Sequence, residues 1–143
     1  MAIEDDVLVI GGGIAGLTSA IAAAETGART RLVTYKQSTL GNASGLVDVL
    51  GYAPGDDAPR ADPYDALAEL PSEHPYSKVG ADAVREGLAL FDDAVGDDYL
   101  GNHSEANALV ATHAGSVKPT ARYPRSAAPG LVSDDRDMLL VGI

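Results

Sequence analysis

Residues Val7 to Gly27 read VLVIGGGIAGLTSAIAAAETG. Within them Gly11, Gly13 and Gly16 fit the spacing G-x-G-x-x-G, with Gly12 in one of the open positions. Each glycine answers a need of a phosphate site. Gly11 permits a tight turn out of a strand, Gly13 lets backbone approach a pyrophosphate with no Cβ between them, and Gly16 lets a helix pack close to a sheet. The free N–H groups at the helix start, with its partial positive charge, would then meet the anion. The spacing alone is weak. A strand before it, a helix after it, and the small residues Ala20, Ala24 and Gly27 further down strengthen it. The competing reading is a glycine-rich turn that holds nothing.

A dinucleotide site of this kind usually ends its second strand in a carboxylate that binds the adenosine ribose. Spacing puts Thr34 there, followed by Tyr35 and Lys36. A threonine hydroxyl cannot clamp two ribose hydroxyls as a carboxylate does. Two cofactors fit this pattern, FAD held less firmly at its adenosine end or the shorter FMN. The missing acid does not by itself select NADP. Lys36 could meet a 2′-phosphate, and a solvated charge at a strand end is its plainer role.

The elements that must position these groups are readable from periodicity. Asp6 to Ile10 is a short β-branched run suited to a parallel strand buried on both faces. Ile14 onward reads as a helix with Gly27 as its stop, and Arg29 to Tyr35 as a second strand. This β–turn–α–β unit takes about 30 residues, the size of a crossover pair. LVDVL (Leu46 to Leu50) is left open between a strand and a helical turn. Ala53 to Asp65 is a surface loop by its Pro, Gly and Asp content. Ala66 to Leu70 fits one helical turn, and Pro71 to Gly80 is irregular. Ala81 to Asp97 is a second helix with Val84, Leu88, Phe91 and Val95 on one face. Tyr99 to Pro124 reads as short strands and turns. Met138 to Ile143 looks like a central strand with nothing after it to cover it, so the expectation is an N-terminal fragment of a longer protein.

Composition excludes several classes. The 143 residues suit a single domain, and 45% hydrophobic content suits a folded one. With no cysteine, disulfides, thiolate metal sites, iron–sulfur clusters and cysteine nucleophiles are out. A net charge of −11 opposes binding to nucleic acid or docking on anionic lipid. Abundant Asp with only Lys36, Lys78 and Lys118 among the lysines resembles a halophile's surface. Acidic residues precede the first apolar run, unlike a signal peptide, and no segment reaches the roughly 20 apolar residues of a membrane span.

Beyond the glycine loop, STLGNASGLVDVL, HPYSKVG, THAGSVKPTARYP and the closing MLLVGI occur in an order that resembles the B subunits of the anaerobic glycerol-3-phosphate dehydrogenases. The resemblance covers nearly the whole chain. It implies a Rossmann-like, FAD/NAD(P)-binding three-layer α/β fold. Residues 1–143 would form an incomplete N-terminal flavin-binding domain, the rest of the domain and the substrate region lying beyond. It implies flavin-dependent oxidation of sn-glycerol 3-phosphate to dihydroxyacetone phosphate. Electrons would pass to quinone, with fumarate or nitrate as terminal acceptor. The cofactor would be FMN or FAD. The partners would be the FAD-containing A and iron–sulfur C subunits, with a cytoplasmic location and membrane contact only through them. Two other readings stay open: a flavin-holding electron relay without substrate chemistry, and a related fumarate-reductase-like flavoprotein with another substrate.

Carried over by position, Gly11, Gly12, Gly13, Ile14, Ala15 and Gly16 would hold the flavin phosphate. Thr34 would stand at the adenosine end, and Ser38, Ser44 and Gly45 beside the flavin ring. A turn or helix cap is the alternative for Ser44–Gly45. His74 is a candidate acid/base or phosphate donor, against a loop-stabilising role. Lys118, Thr120 and Arg122 could meet an anionic substrate, against strand-edge surface positions. His103 and His113 have no partner by spacing, and no metal-ligand pattern joins the histidines.

Overall fold

A computed structural model describes residues 4–35, 39–135, 137, 139 and 141. The glycine stretch folds as its pattern predicts, except that the strand before it leaves one face exposed where burial on both is expected. Strand β1 (Val7–Ile10) leads through the glycines into helix α1 (Ile14–Glu25), and β2 (Thr30–Val33) returns parallel to β1. The register pairs Val7 with Thr30 and Ile10 with Val33, so both strands end together at the glycine loop. Gly27, at φ +84, lets the chain leave α1, and its N–H donates to the Ala24 carbonyl. At the far end of the pair Asp6 takes three donations from Arg29, two from its guanidinium and one from its backbone N–H, and Arg31 pairs with Asp5.

Helix α1 lies over the β1 side chains that alternate with Leu8 and Ile10. The face it turns to the sheet runs through Gly16, Ala20 and Ala23, all half-buried, while Ala24 is exposed. The steps of four and three residues follow the helical period, so Ala23 takes the role that spacing by fours gives to Ala24. Leu8 and Ile10 point the other way and are 57% and 80% exposed. Among the described residues no second helical layer covers that face.

Helix α2 (Pro75–Val95) is two pieces joined at Gly80, whose φ of +84 and ψ of +162 break the helix. The piece after Gly80 matches the expected helix and turns Val84, Leu88, Phe91 and Val95 inward, Leu88 most deeply. The piece before it, Pro75 to Val79, is not evident in the sequence pattern. Short 3₁₀ turns occupy Asp65–Glu69, as expected, and Thr39–Asn42, Gly96–Asp98 and Arg125–Gly130.

The rest is antiparallel. β3 (Tyr99–Leu100) pairs with β6 (Tyr123–Pro124), and β4 (Ala108–Ala111) pairs with β5 (Val117–Thr120). LVDVL is neither strand nor helix. Only Val47 pairs, across an isolated bridge to Arg122. The buried core sits in this half, with Val110, Tyr123 and Leu131 at its centre and Leu46, Leu100 and Ala108 against it. The terminal apolar run lies partly outside the described residues, and its described members Leu139 and Val141 are in no strand and are exposed.

Candidate functional site: an open glycine loop at the start of a helix

The loop is built by one backbone bond and two close contacts. The Gly11 N–H donates to the Val33 carbonyl at 2.8 Å, tying the loop to the end of β2. Gly11 has φ +115, a conformation side chains disfavour. A Cβ on Gly16 would sit 1.9 Å from the Gly11 carbonyl oxygen, so α1 approaches the strand as closely as backbone allows. A Cβ on Gly12 would lie 3.3 Å from the Thr34 side chain, which places Thr34 against the loop.

Gly13 differs. It is the N-cap of α1 at φ −78 and ψ 177, a conformation any residue adopts, and a Cβ there would meet nothing within 4 Å. Its glycine is not required by the fold; the open space in front of it is what a ligand would use. No side chain caps this end of α1 and no acidic residue stands in its first turn. Leu17 is the first helical N–H to donate inside the helix, to the Gly13 carbonyl at 2.9 Å. The N–H groups before it face outward with the helix's partial positive charge. An anion here would find donors and positive potential, with open space before Gly13 and no acidic residue in the first turn of α1.

An apolar concavity of about 510 Å³ lies beside this tip. It runs along the flank of α1 from Ile14 to Ile21, between that helix, residues 43–48 and the end of α2. Phe91 and Tyr99, packed edge to face at 4.9 Å, form part of its wall. Two of the sequence-predicted residues, Ile14 and Gly45, border it together. Ser44 accepts from the Leu46 N–H at 3.3 Å, a turn bond. Gly45 needs its φ of +78, and a Cβ there would press on Pro124 and Tyr99. Ser38 and Lys36 lie outside the described residues.

The other candidates have structural partners. His74 is the N-cap of α2, its Nδ1 accepting from the Tyr76 N–H at 3.2 Å. Lys118 pairs with Asp48 at 2.7 Å. Thr120 is fully buried, and its one hydroxyl proton is shared between the Val47 and Arg122 carbonyls at 3.1 and 2.9 Å. Arg122 is no surface charge. Its guanidinium grips Asp92 through two bonds of 2.8 and 2.9 Å and donates to the Gly101 and Ala121 carbonyls, with 10% of its side chain exposed. Sequence reasoning misses Asp92, thirty residues away on α2, because nothing local announces it. It also misses buried Asn107, whose side chain donates to the Leu50 and Arg60 carbonyls and pins the loop between them. His103 lines a polar cleft of about 400 Å³ with Tyr64, Arg85 and Arg122, where Arg85 lies 4.0 Å over the Tyr64 ring.

Residues 6–143 match the FAD binding domain family over almost the entire chain. The chain belongs to this family. The match supports FAD as the cofactor between the two that the glycine loop allows, and with it the Rossmann-like α/β class. A protein of Halobacterium salinarum, described as a probable B subunit of anaerobic glycerol-3-phosphate dehydrogenase, is 68% identical over 99% of this chain. The B subunits of the same dehydrogenase from Vibrio vulnificus and Pectobacterium atrosepticum are 39% and 42% identical over 80% and 70% of it. Being named as subunits places those proteins in a complex of several chains. The chain spans 33% of the Halobacterium protein, 27% of the Vibrio protein and 25% of the Pectobacterium protein. No solved structure matches. The acid-rich composition agrees with a halophilic relative. Among the described residues no helix is long and apolar enough to cross a membrane.

Proposed function

We propose that this chain is the FAD-holding part of a B subunit that takes part in oxidising sn-glycerol 3-phosphate to dihydroxyacetone phosphate. The observation that carries the reading is the open tip of α1, uncapped and free of acid, in a chain 68% identical to a protein of that name. FAD would supply the hydride acceptor. This chain's own contribution is to bind the cofactor's phosphates on the N–H groups of Gly13, Ile14, Ala15 and Gly16. Gly11 and Gly16 keep strand and helix close enough to hold that geometry. Electrons would leave for a quinone, with fumarate or nitrate as terminal acceptor. The A and C subunits would be the partners, and membrane contact would come through them from the cytoplasmic side.

A relay reading is favoured by one observation: none of His74, His103 and His113 lines the groove beside α1. In that case the flavin held here passes electrons, and the substrate is oxidised on the A subunit. The test is a visible spectrum of the purified full-length protein during anaerobic addition of glycerol 3-phosphate. Bleaching of the flavin bands in the isolated protein supports catalysis here. Bleaching only after the A subunit is added supports the relay. A colourless, flavin-free protein that stays so after incubation with FAD refutes both.

A further inference from the structure

Arg85 is held differently from the other described arginines. Arg29, Arg31, Arg60 and Arg122 set terminal guanidinium nitrogens on carboxylates, and Arg125 sets one on the Asp97 carbonyl. Neither terminal nitrogen of Arg85 makes a hydrogen bond to a described residue. Its Nε reaches Glu105 at 3.3 Å, and Asp82 lies 3.9 Å from Nη1, beyond hydrogen-bond reach. The guanidinium is nevertheless placed. It lies 4.0 Å over the Tyr64 ring, with 39% of the side chain exposed. Stacking fixes the plane of the fork and uses none of its terminal N–H groups. Arg85 lines the polar cleft of about 400 Å³ together with Asn102, His103 and Ser104 from the loop after β3.

We infer that this cleft binds a phosphate dianion, anchored on the fork of Arg85 that no described residue occupies. A guanidinium fork matches two oxygens of one phosphate with charge-assisted bonds. A carboxylate would spend both its oxygens there, whereas a phosphate keeps a third for donors of another element. Asn102, His103 and Ser104 bring an amide, a ring N–H and a hydroxyl to the same cleft. The carboxylates nearby do not close it. Asp92 is taken up by Arg122 through bonds of 2.8 and 2.9 Å, so that pair carries little net charge. Glu105 is exposed and holds Arg85 by its one bond, a pair of small worth that an incoming phosphate displaces. The phosphate belongs either to a phosphomonoester, of which sn-glycerol 3-phosphate is one, or to inorganic phosphate. The inference rests on the cleft and not on the cofactor reading.

The experiment is calorimetric titration of the full-length protein, incubated with excess FAD so that the tip of α1 is filled. The titrants are sn-glycerol 3-phosphate, inorganic phosphate and uncharged glycerol, and circular dichroism checks the fold of each variant. The two phosphates are expected to compete for one site, and glycerol to stay unbound. Arg85→Ala is expected to weaken both phosphates at least about 10-fold, the low end for bonds to a charged group. Arg85→Lys, which keeps the charge and loses the fork, should fall between. Glu105→Gln is expected to tighten both by up to about 5-fold, the most an exposed pair is worth. Tighter binding of glycerol 3-phosphate than of phosphate assigns the site to a phosphomonoester, and the reverse order assigns it to the free ion. Equal affinity in wild type and folded Arg85→Ala overturns the inference. So does glycerol binding as well as glycerol 3-phosphate, or wild type binding neither phosphate. Flavin bleaching by glycerol 3-phosphate alongside any of these failures leaves the proposed reaction standing. A protein that takes up no FAD fails the cofactor reading, while loss of phosphate binding in Arg85→Ala still upholds the cleft.

Discussion

Gly13→Ala and Gly16→Ala add the same atom at two nearby positions of the loop and separate folding from binding. At Gly16 the new Cβ falls 1.9 Å from the Gly11 carbonyl oxygen and 3.0 Å from its carbon. A carbon–oxygen contact relaxes at roughly 3.3 Å, so α1 must retreat by more than about 1 Å. Overpacking of this kind costs roughly 1–3 kcal/mol or more, against a helix-propensity gain of about 1 kcal/mol. A 1.9 Å approach to a backbone oxygen puts the cost at the upper end of that range, so Gly16→Ala is expected to be less stable by about 2 kcal/mol, and to lose flavin as the loop shifts. At Gly13 the new Cβ meets nothing within 4 Å and the backbone angles suit alanine. The gain from a stiffer unfolded chain, about 0.4–1 kcal/mol, roughly offsets the poorer N-cap. Gly13→Ala should melt close to wild type yet bind FAD at least about 10-fold more weakly, or about 1.4 kcal/mol. Thermal unfolding by circular dichroism and FAD titration of the full-length protein give the two numbers. Wild-type affinity in Gly13→Ala would refute the idea that phosphate approaches this backbone, and wild-type stability in Gly16→Ala would refute the packing argument.

Three further outcomes are expected. Arg122→Ala should cost about 3–5 kcal/mol in urea unfolding, because Asp92 is left nearly buried and unpaired; Lys118→Ala, at a half-exposed pair, should cost no more than about 1 kcal/mol. His74→Ala should lower stability by about 1 kcal/mol through the lost cap, and His74→Asn should restore it, with flavin reduction by glycerol 3-phosphate unchanged in both; slowed reduction at full stability would restore His74 as an acid/base candidate. The Arg29 guanidinium and backbone N–H hold Asp6 below its ordinary 3.8. A depressed carboxylate stabilises above its unfolded value and loses that contribution as pH falls through the folded one. Melting temperature should therefore drop as pH falls from about 5 to below the ordinary carboxylate value, with a shallower slope in Asp6→Asn.

The β1–α1–β2 unit is legible because its signals are local: a β-branched run, glycines at fixed offsets and a small-residue stripe. It slips twice: Leu8 and Ile10 are exposed where a strand buried on both faces is expected, and Ala23 replaces Ala24 because counting by fours overshoots a helix that turns by about 3.6. The break at Gly80 is hidden because a glycine beside Val79 and Ala81 looks the same whether a helix begins or is interrupted there. The KPTAR segment misleads for a deeper reason. Its charges point at Asp92 and Asp48, and its backbone pairs with Val47, so its burial is decided by partners far away in the chain. LVDVL cannot be assigned from sequence for the same reason: Val47 alone carries its pairing. The glycine loop at the helix start is foreseeable as a motif, whereas the openness of Gly13 and the closeness of Thr34 to Gly12 require coordinates.

The three described sheets have two strands each, and no ladder joins the parallel pair to the antiparallel ones. Cooperativity between the two halves must pass through side chains, chiefly those of α1 and α2. Amide hydrogens of β1 and β2 should then exchange with solvent at a different rate from those of β4 and β5, and a ligand at the helix tip should slow the first set before the second.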